Sequence, residues 1–395
     1  MGCVKRNVCV WFFGSVCHGF DETAMKLTVS AAFTTMVGTG NFVIFVSLLG
    51  IHCDSFYKED LMAESVLVTG GAGYIGSVVV SQLLEQGDQV IVYDNLSKGR
   101  LASVPANAKF IQGDISDRAA LDRLFQENSI DAVMHFAAFI EAGESMQLPE
   151  KYFRNNTANT LNLLEAMIAH KISRFVFSST AALFGTPERT PIEETDKLQP
   201  TNTYGASKLL VEEMLAWFHL IHGLCYASLR YFNAAGAAGK QGEDHHPESH
   251  LIPLTLQVAL GQREFISIFG TDYPTPDGTC VRDYIHVSDL ASAHLLVLDE
   301  LKRKDKLIYN LGNGRGFSVR EVIDTVRRVT SQAIPVKEAA RRPGDPAILV
   351  ASSEKIRKEL NWTPRYSDLE AIVRSAWDWR RAYPHGYDEK SVSGH

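Results

Sequence analysis

One turn constrains this chain more than any other feature in it. The run VLVT at 66–69 leads directly into GGAGYIG at 70–76. An apolar strand-like segment therefore ends on glycines and opens a helix, in which Ile75, Val79 and Leu83 share a face at helical spacing. The glycines at 71, 73 and 76 satisfy G-x-G-x-x-G, and Gly70 precedes them. Between a strand and a helix, such a turn lets the backbone approach a pyrophosphate lying on the helix N-terminus.

Asp94 closes the next apolar run, eighteen residues after Gly76. A carboxylate there can accept from both ribose hydroxyls and repels a 2'-phosphate, so the expected dinucleotide is NAD and not NADP. A tight turn followed by a solvated acid is the bland alternative. Lys98 and Arg100 read as surface charges and not as a phosphate clamp.

The same alternation continues down the chain. VLVTG (66–70), QVIVYD (89–94), AKFIQGD (108–114), AVMHFAA (132–138), RFVFSST (174–180) and YASLRYFN (226–233) are short apolar runs of the kind buried in parallel sheets. Helical patterns fill the gaps, ending with 149–170 and 204–222. This predicts an α/β fold: a Rossmann-type doubly wound parallel sheet over residues 62–235. After Asn233 the alternation lapses, and helices are expected near 250–260, 318–330 and 366–382. That predicts a smaller α+β domain over 236–387, followed by a tail, 388–395.

The first 61 residues differ from the rest. No charged residue occurs between Leu27 and Cys53, enough to cross a bilayer, yet the run is diluted by Thr, Ser, Asn and Gly. We expect the folded unit to begin at Met62; a membrane anchor over 27–53 and a docked extension are the alternatives. A net charge of -7 and a pI near 6.0 give no basic footprint for nucleic acid. Six cysteines without C-x-x-C spacing argue against zinc ribbons and disulfide frameworks and fit a reducing, cytoplasmic setting.

Chemistry enters at SSTAALFG, 178–185, and TYGASK, 203–208. Hydroxyls end a strand, and on the following helix Tyr204 and Lys208 lie four apart on one face. Bringing a phenol from a pKa of about 10 to about 7 takes roughly 4 kcal/mol, within reach of a neighbouring ammonium together with an oxidised nicotinamide. An isolated Tyr-x-x-x-Lys is an ordinary helix pair, but here it accompanies the glycine turn and the strand-end hydroxyls.

With these motifs in place, residues 65 to about 387 resemble the UDP-glucose 4-epimerase group of the extended short-chain dehydrogenase/reductase family. VTGGAGYIG, HFAA, SST, YGASK, RYFN, DGTCVRDYIHV, YNLG, RRPGD and ELNW carry the resemblance. It implies tightly bound NAD, a UDP-sugar substrate and a homodimer formed through helices, the last consistent with the apolar Met214, Leu215, Trp217, Phe218, Leu220 and Ile221. It also implies a catalytic Tyr204, Lys208 and Thr180. Cofactor contacts would come from Gly70, Gly73, Tyr74, Ile75, Gly76, Asp94, Asn95, Asp114, Ile115, Phe136, Ala137, Ala138, Asn155, Tyr231 and Phe232. Substrate contacts would come from Asn233, His250, Leu251, Phe269, Arg282, Arg342, Asp345 and Leu349. Ile140 and Phe184 depart from the family pattern and are assigned no chemistry.

Ala181 and Ala182 stand where related dehydratases place acid groups. Neither can carry a proton, so the expected chemistry is redox at one carbon: oxidation of the sugar C4, turnover of the ketone and return of hydride to the opposite face. The alternatives are an epimerase for another UDP-sugar, such as UDP-N-acetylglucosamine or a UDP-pentose, a reductase, and a non-enzymatic NAD sensor of the same fold. No metal is expected; the His-rich loop GEDHHPESH (242–250) lacks helical ligand spacing because of Pro247, and is read as covering the uridine.

Overall fold

The computed structural model describes residues 63–342 and 345–387; the segment 27–53 and the tail 388–395 lie outside them. The six apolar runs form strands β1 (Ser65–Thr69), β2 (Gln89–Asp94), β3 (Lys109–Gln112), β4 (Ala132–His135), β5 (Arg174–Ser178) and β6 (Cys225–Tyr231). Three short strands follow, β7 (Asn233–Ala235), β8 (Ile266–Phe269) and β9 (Val281–His286), and then β10 (Lys306–Leu311). The main sheet has the order β10-β6-β5-β4-β1-β2-β3, and every pairing in it is parallel.

Alternate side chains on each strand leave the sheet on opposite faces. Val66 and Val68 enter the apolar layer under the helices Tyr74–Gln86 and Val287–Glu300, whereas Leu67 enters the layer under Arg118–Glu127, Asn159–Ala169 and Thr203–His222. Both faces are thus covered by helices, which is why the strands read as continuous apolar runs.

The division expected at residue 235 is crossed by the chain. β10 and the helix Val287–Glu300 come from the C-terminal segment yet complete the main sheet and its outer layer. The remainder of that segment forms its own core, where helices Leu251–Ala259, Val319–Thr330 and Leu369–Ala382 pack together. There β9 pairs with β7, with β11 (Gly316–Ser318) and, after β12 (Val336–Ala339), with β13 (Ile348–Leu349); β12 itself pairs with β8. Helix 149–170 is interrupted by a π-helical stretch, Phe153–Ala158. Among the described residues, no helix is long and apolar enough to cross a membrane.

Candidate active site

The glycine turn sits at the C-terminal end of β1, against the end of β4. Gly70 has φ +75°, and a Cβ there would collide with the backbone of Phe136 and Ala137; one at Gly76 would collide with the Gly70 carbonyl oxygen. The close approach needed by a dinucleotide is therefore built into the backbone. A groove runs from this turn past Gly73, Asp94, Asn95, Asp114, Ile115, Phe136, Ala137, Ala138 and Asn155. Tyr74 and Ile75 begin the helix: Tyr74 donates from its hydroxyl to the Gly236 carbonyl at 2.6 Å, and Ile75 packs on the core.

Asp94 is oriented by backbone N–H groups of Ala72 (3.1 Å) and Leu96 (2.8 Å), while burial pushes its carboxyl up from the ordinary value. Asn95 donates to Asp114 at 2.6 Å. Burial raises the Asp114 carboxyl, but hydrogen bonds from Ser116 and Asn95 outweigh it and hold it below the ordinary value. An acid pair at the rim of the groove is thus held by neutral donors, leaving acceptor capacity for ribose hydroxyls.

Tyr204 and Lys208 lie on the helix Thr203–His222, whose N-terminus is capped by Asn202 accepting from the Gly205 N–H at 2.8 Å. A second tether is the Tyr204 N–H, which donates to the buried Ser145 hydroxyl at 3.1 Å. Burial raises the Tyr204 phenol above its ordinary pKa, and the Thr180 hydroxyl beside it opposes that rise. Burial also lowers Lys208, to about 7, against the pull of Glu212. Its ammonium donates to the Ser178 carbonyl at 2.8 Å and lies over the Phe177 ring. Thr180 caps the short turn Ala181–Phe184, accepting from the Ala182 N–H at 3.1 Å.

The structure therefore brings Tyr204, Lys208 and Thr180 together at the ends of β5 and of the helix beside it. Tyr231 joins them through a short hydrogen bond between its hydroxyl and Ser178. Phe184 is buried beneath Arg230 and serves packing.

The second group of expected residues gathers around β9. Asn233 donates to the Asp283 carbonyl at 3.0 Å. Arg282 is ion-paired with Asp345 and stands in register with Leu349 across the β9–β13 pairing. Arg342 stacks over the Phe269 ring, 4.2 Å from its centroid. The Asp345 N–H donates to the Arg342 carbonyl at 3.2 Å and so links the two groups; two arginines, a carboxylate and two apolar side chains suit a charged diphosphate and a planar base.

Some residues differ from the sequence reading. Arg100 is not simply a surface charge: it pairs with the buried Asp244 at 3.4 Å and with the His246 ring at 3.0 Å. Lys98 lines the groove and pairs with Glu141 at 3.0 Å. His250 and Leu251 begin the helix Leu251–Ala259 as expected, but the His250 imidazole is held by Glu243 at 2.5 Å. Sequence reasoning missed Glu212, which follows Lys208 by one turn and pairs with Arg230 on β6; the i, i+4, i+8 series Tyr204, Lys208, Glu212 was the signal available.

A strand-end hydroxyl, a Tyr-Lys helix pair and a glycine-turn groove at the C-terminal edge of a parallel sheet define a dinucleotide-dependent enzyme of the Rossmann class. The model of the NAD dependent epimerase/dehydratase family matches residues 66–312, and the chain belongs to that family. It is 53% identical over 330 residues to a UDP-glucose 4-epimerase of Halalkalibacterium halodurans, covering 83% of this chain and 98% of the relative. A UDP-glucose 4-epimerase from Brucella ovis, solved in complex with NAD, superposes with a TM-score of 0.78 at 45% identity, covering 80% of this chain and 98% of that one. One from Bifidobacterium longum in complex with NAD+ and UDP gives 0.78 at 38% identity, covering 82% and 100%.

Proposed function

We propose that this chain is an isomerase that interconverts UDP-glucose and UDP-galactose by epimerisation at C4. The observation that carries the reading is the meeting of Tyr204, Thr180 and Lys208 beside the glycine-turn groove. When bound, NAD supplies a reversible hydride acceptor for the sugar carbon. The chain's own groups handle the proton. Tyr204 removes it from the 4-hydroxyl, and Thr180 hydrogen-bonds the same oxygen and keeps it aimed at the phenol. Lys208, on the same helix face, favours the phenolate by its charge.

What the chain lacks next to these groups matters as much. Ala181 and Ala182 offer no acid, so elimination of water has no proton carrier there. Asp94 would hold the adenosine ribose, Asn233 would reach the sugar, and Arg282 and Arg342 would meet the diphosphate with Phe269 and Leu349 beside the base and sugar. Support for a homodimer comes from the helix Thr203–His222: Leu215 is buried, whereas Trp217, Leu220 and Ile221 are 65%, 69% and 65% exposed on one side.

The test is incubation of the purified protein with UDP-galactose, without added cofactor, while C4 epimers and free NADH are followed. The expected result is formation of UDP-glucose with no accumulating NADH. Release of NADH in proportion to product would replace this reading with a dehydrogenase.

A further inference from the structure

Residues 236–250 join β7 to the helix Leu251–Ala259 and contain GEDHHPESH at 242–250. The helical spacing that the sequence reading required of a metal site is not needed here, because the loop is irregular and folds back on itself. Glu243, His245, Glu248 and His250 each offer one ligand atom, and all four atoms lie within 4.8 Å of one another. His245 Nδ1 is 3.3 Å from Glu243, and His250 Nδ1 is 3.5 Å from Glu248. The edge of a tetrahedron around zinc, with bonds of 2.0–2.1 Å, is about 3.4 Å.

Two further observations point to an occupant. The Glu248 side chain is only 5% exposed, and its Oε2 has no hydrogen-bond partner; the buried His245 Nδ1 has none either. A buried carboxylate oxygen left in that state is costly unless something else takes its lone pairs. In addition, among the described residues neither Glu243 nor Glu248 has a lysine or arginine within 4 Å; the nearby Arg100 is engaged by Asp244 and His246. With both imidazoles deprotonated, the two carboxylates balance one divalent ion, which would displace the proton that now pairs His250 with Glu243 at 2.5 Å.

We propose that Glu243, His245, Glu248 and His250 form a closed, structural zinc site. Two imidazole nitrogens select a borderline-soft ion over calcium or magnesium, and four protein ligands leave no open position for catalysis. Glu248 is already fixed for the role, since its Oε1 accepts from the Ser249 and His250 N–H groups at 2.7 and 2.9 Å. The ion would close the loop on itself, and the closed loop lies against the cofactor side of the fold. His245 stands edge-on to Tyr74, the first residue of the helix behind the glycine turn, and Lys98 donates to the His246 carbonyl.

The experiment is elemental analysis and thermal unfolding of the full-length protein, purified, stripped with chelator and then titrated with zinc. Expected are one equivalent of zinc per chain and a Tm rise of roughly 5 °C at saturation. Cobalt in place of zinc is expected to show the visible bands of a tetrahedral site. Glu248→Gln and His245→Ala are expected to lose both stoichiometric binding and the Tm rise, while His246→Ala, outside the four, keeps them. Failure of the wild-type protein to bind zinc, equal binding by Glu248→Gln, or an octahedral cobalt spectrum would each overturn the proposal, and none depends on whether the enzyme epimerises UDP-sugars.

Discussion

Glu212 lies two turns beyond Tyr204 on one helix face and grips Arg230 through two carboxylate oxygens, at 2.6 Å from Nη2 and 3.0 Å from Nε. The same carboxylate accepts from the Ser179 hydroxyl at 2.6 Å, so one buried group ties the helix Thr203–His222 to β6 and to the end of β5. Removing one partner leaves an uncompensated buried charge, a loss of about 3–5 kcal/mol. Arg230→Met alone is therefore expected to lower the urea midpoint sharply, whereas the pair Glu212→Leu with Arg230→Met is expected to recover much of it. Stability unchanged by the single substitution would show the pair to be idle.

Tyr204→Phe keeps the ring and removes the proposed proton carrier. The expected outcome is a loss of at least roughly 100-fold in kcat, with native circular dichroism and unchanged NAD content. Thr180→Ser is expected to be mild and Thr180→Ala severe. Near wild-type turnover by Tyr204→Phe would remove this residue from the mechanism.

A methyl group at Gly76 meets the Gly70 carbonyl oxygen, a backbone atom that cannot turn aside. Overpacking of this kind costs about 1–3 kcal/mol, so Gly76→Ala is expected to retain roughly tenfold less NAD after purification. Chromatographic assay of nucleotide released from acid-denatured protein measures it directly.

His135 sets a limit on acid stability. Thr160 donates its one hydroxyl proton to the Asn156 carbonyl and so accepts from His135 Nε2, while Thr69 donates to Nδ1 at 2.7 Å. Burial, helped by the Lys208 charge, lowers this ring to about 3. Between pH 6.5 and about 3 the unfolded chain binds a proton here that the folded chain does not, so stability falls as pH falls through that window. Relative to His135→Gln, the wild type is expected to lose about 1 kcal/mol more between pH 6 and pH 5. Parallel denaturation curves at the two pH values would refute it.

Leu349, partly buried and in register with Arg282, is the residue proposed to set substrate breadth. Its side chain is intermediate in bulk, and weak activity on UDP-N-acetylglucosamine is expected beside the preferred UDP-glucose and UDP-galactose pair. Leu349→Tyr should suppress that weak activity by about tenfold or more while sparing the main one. An equal fall in both would assign Leu349 to packing.

The first six strands were legible because a strand buried on both faces is a continuous apolar run, and QVIVYD became β2 without a residue's change. β10 was not. Its sequence KLIYNL follows β9 and the helix Val287–Glu300, and nothing local says that it pairs with Tyr226–Tyr231 and not with β9 before it. The site divides in the same way. The turn, Tyr204, Lys208 and Thr180 announce themselves through spacing along single elements. Glu212 with Arg230, and Glu243 with Glu248, acquire meaning only when the fold sets distant or irregular segments side by side.

The pairing of β10 with β6 also orders events during synthesis. Until Leu311 has left the ribosome, β6 has a parallel neighbour in β5 and an open edge on its other side, from Cys225 to Tyr231. A nascent chain halted before Lys306 would expose that ladder of unpaired amides, an edge open to pairing with another chain.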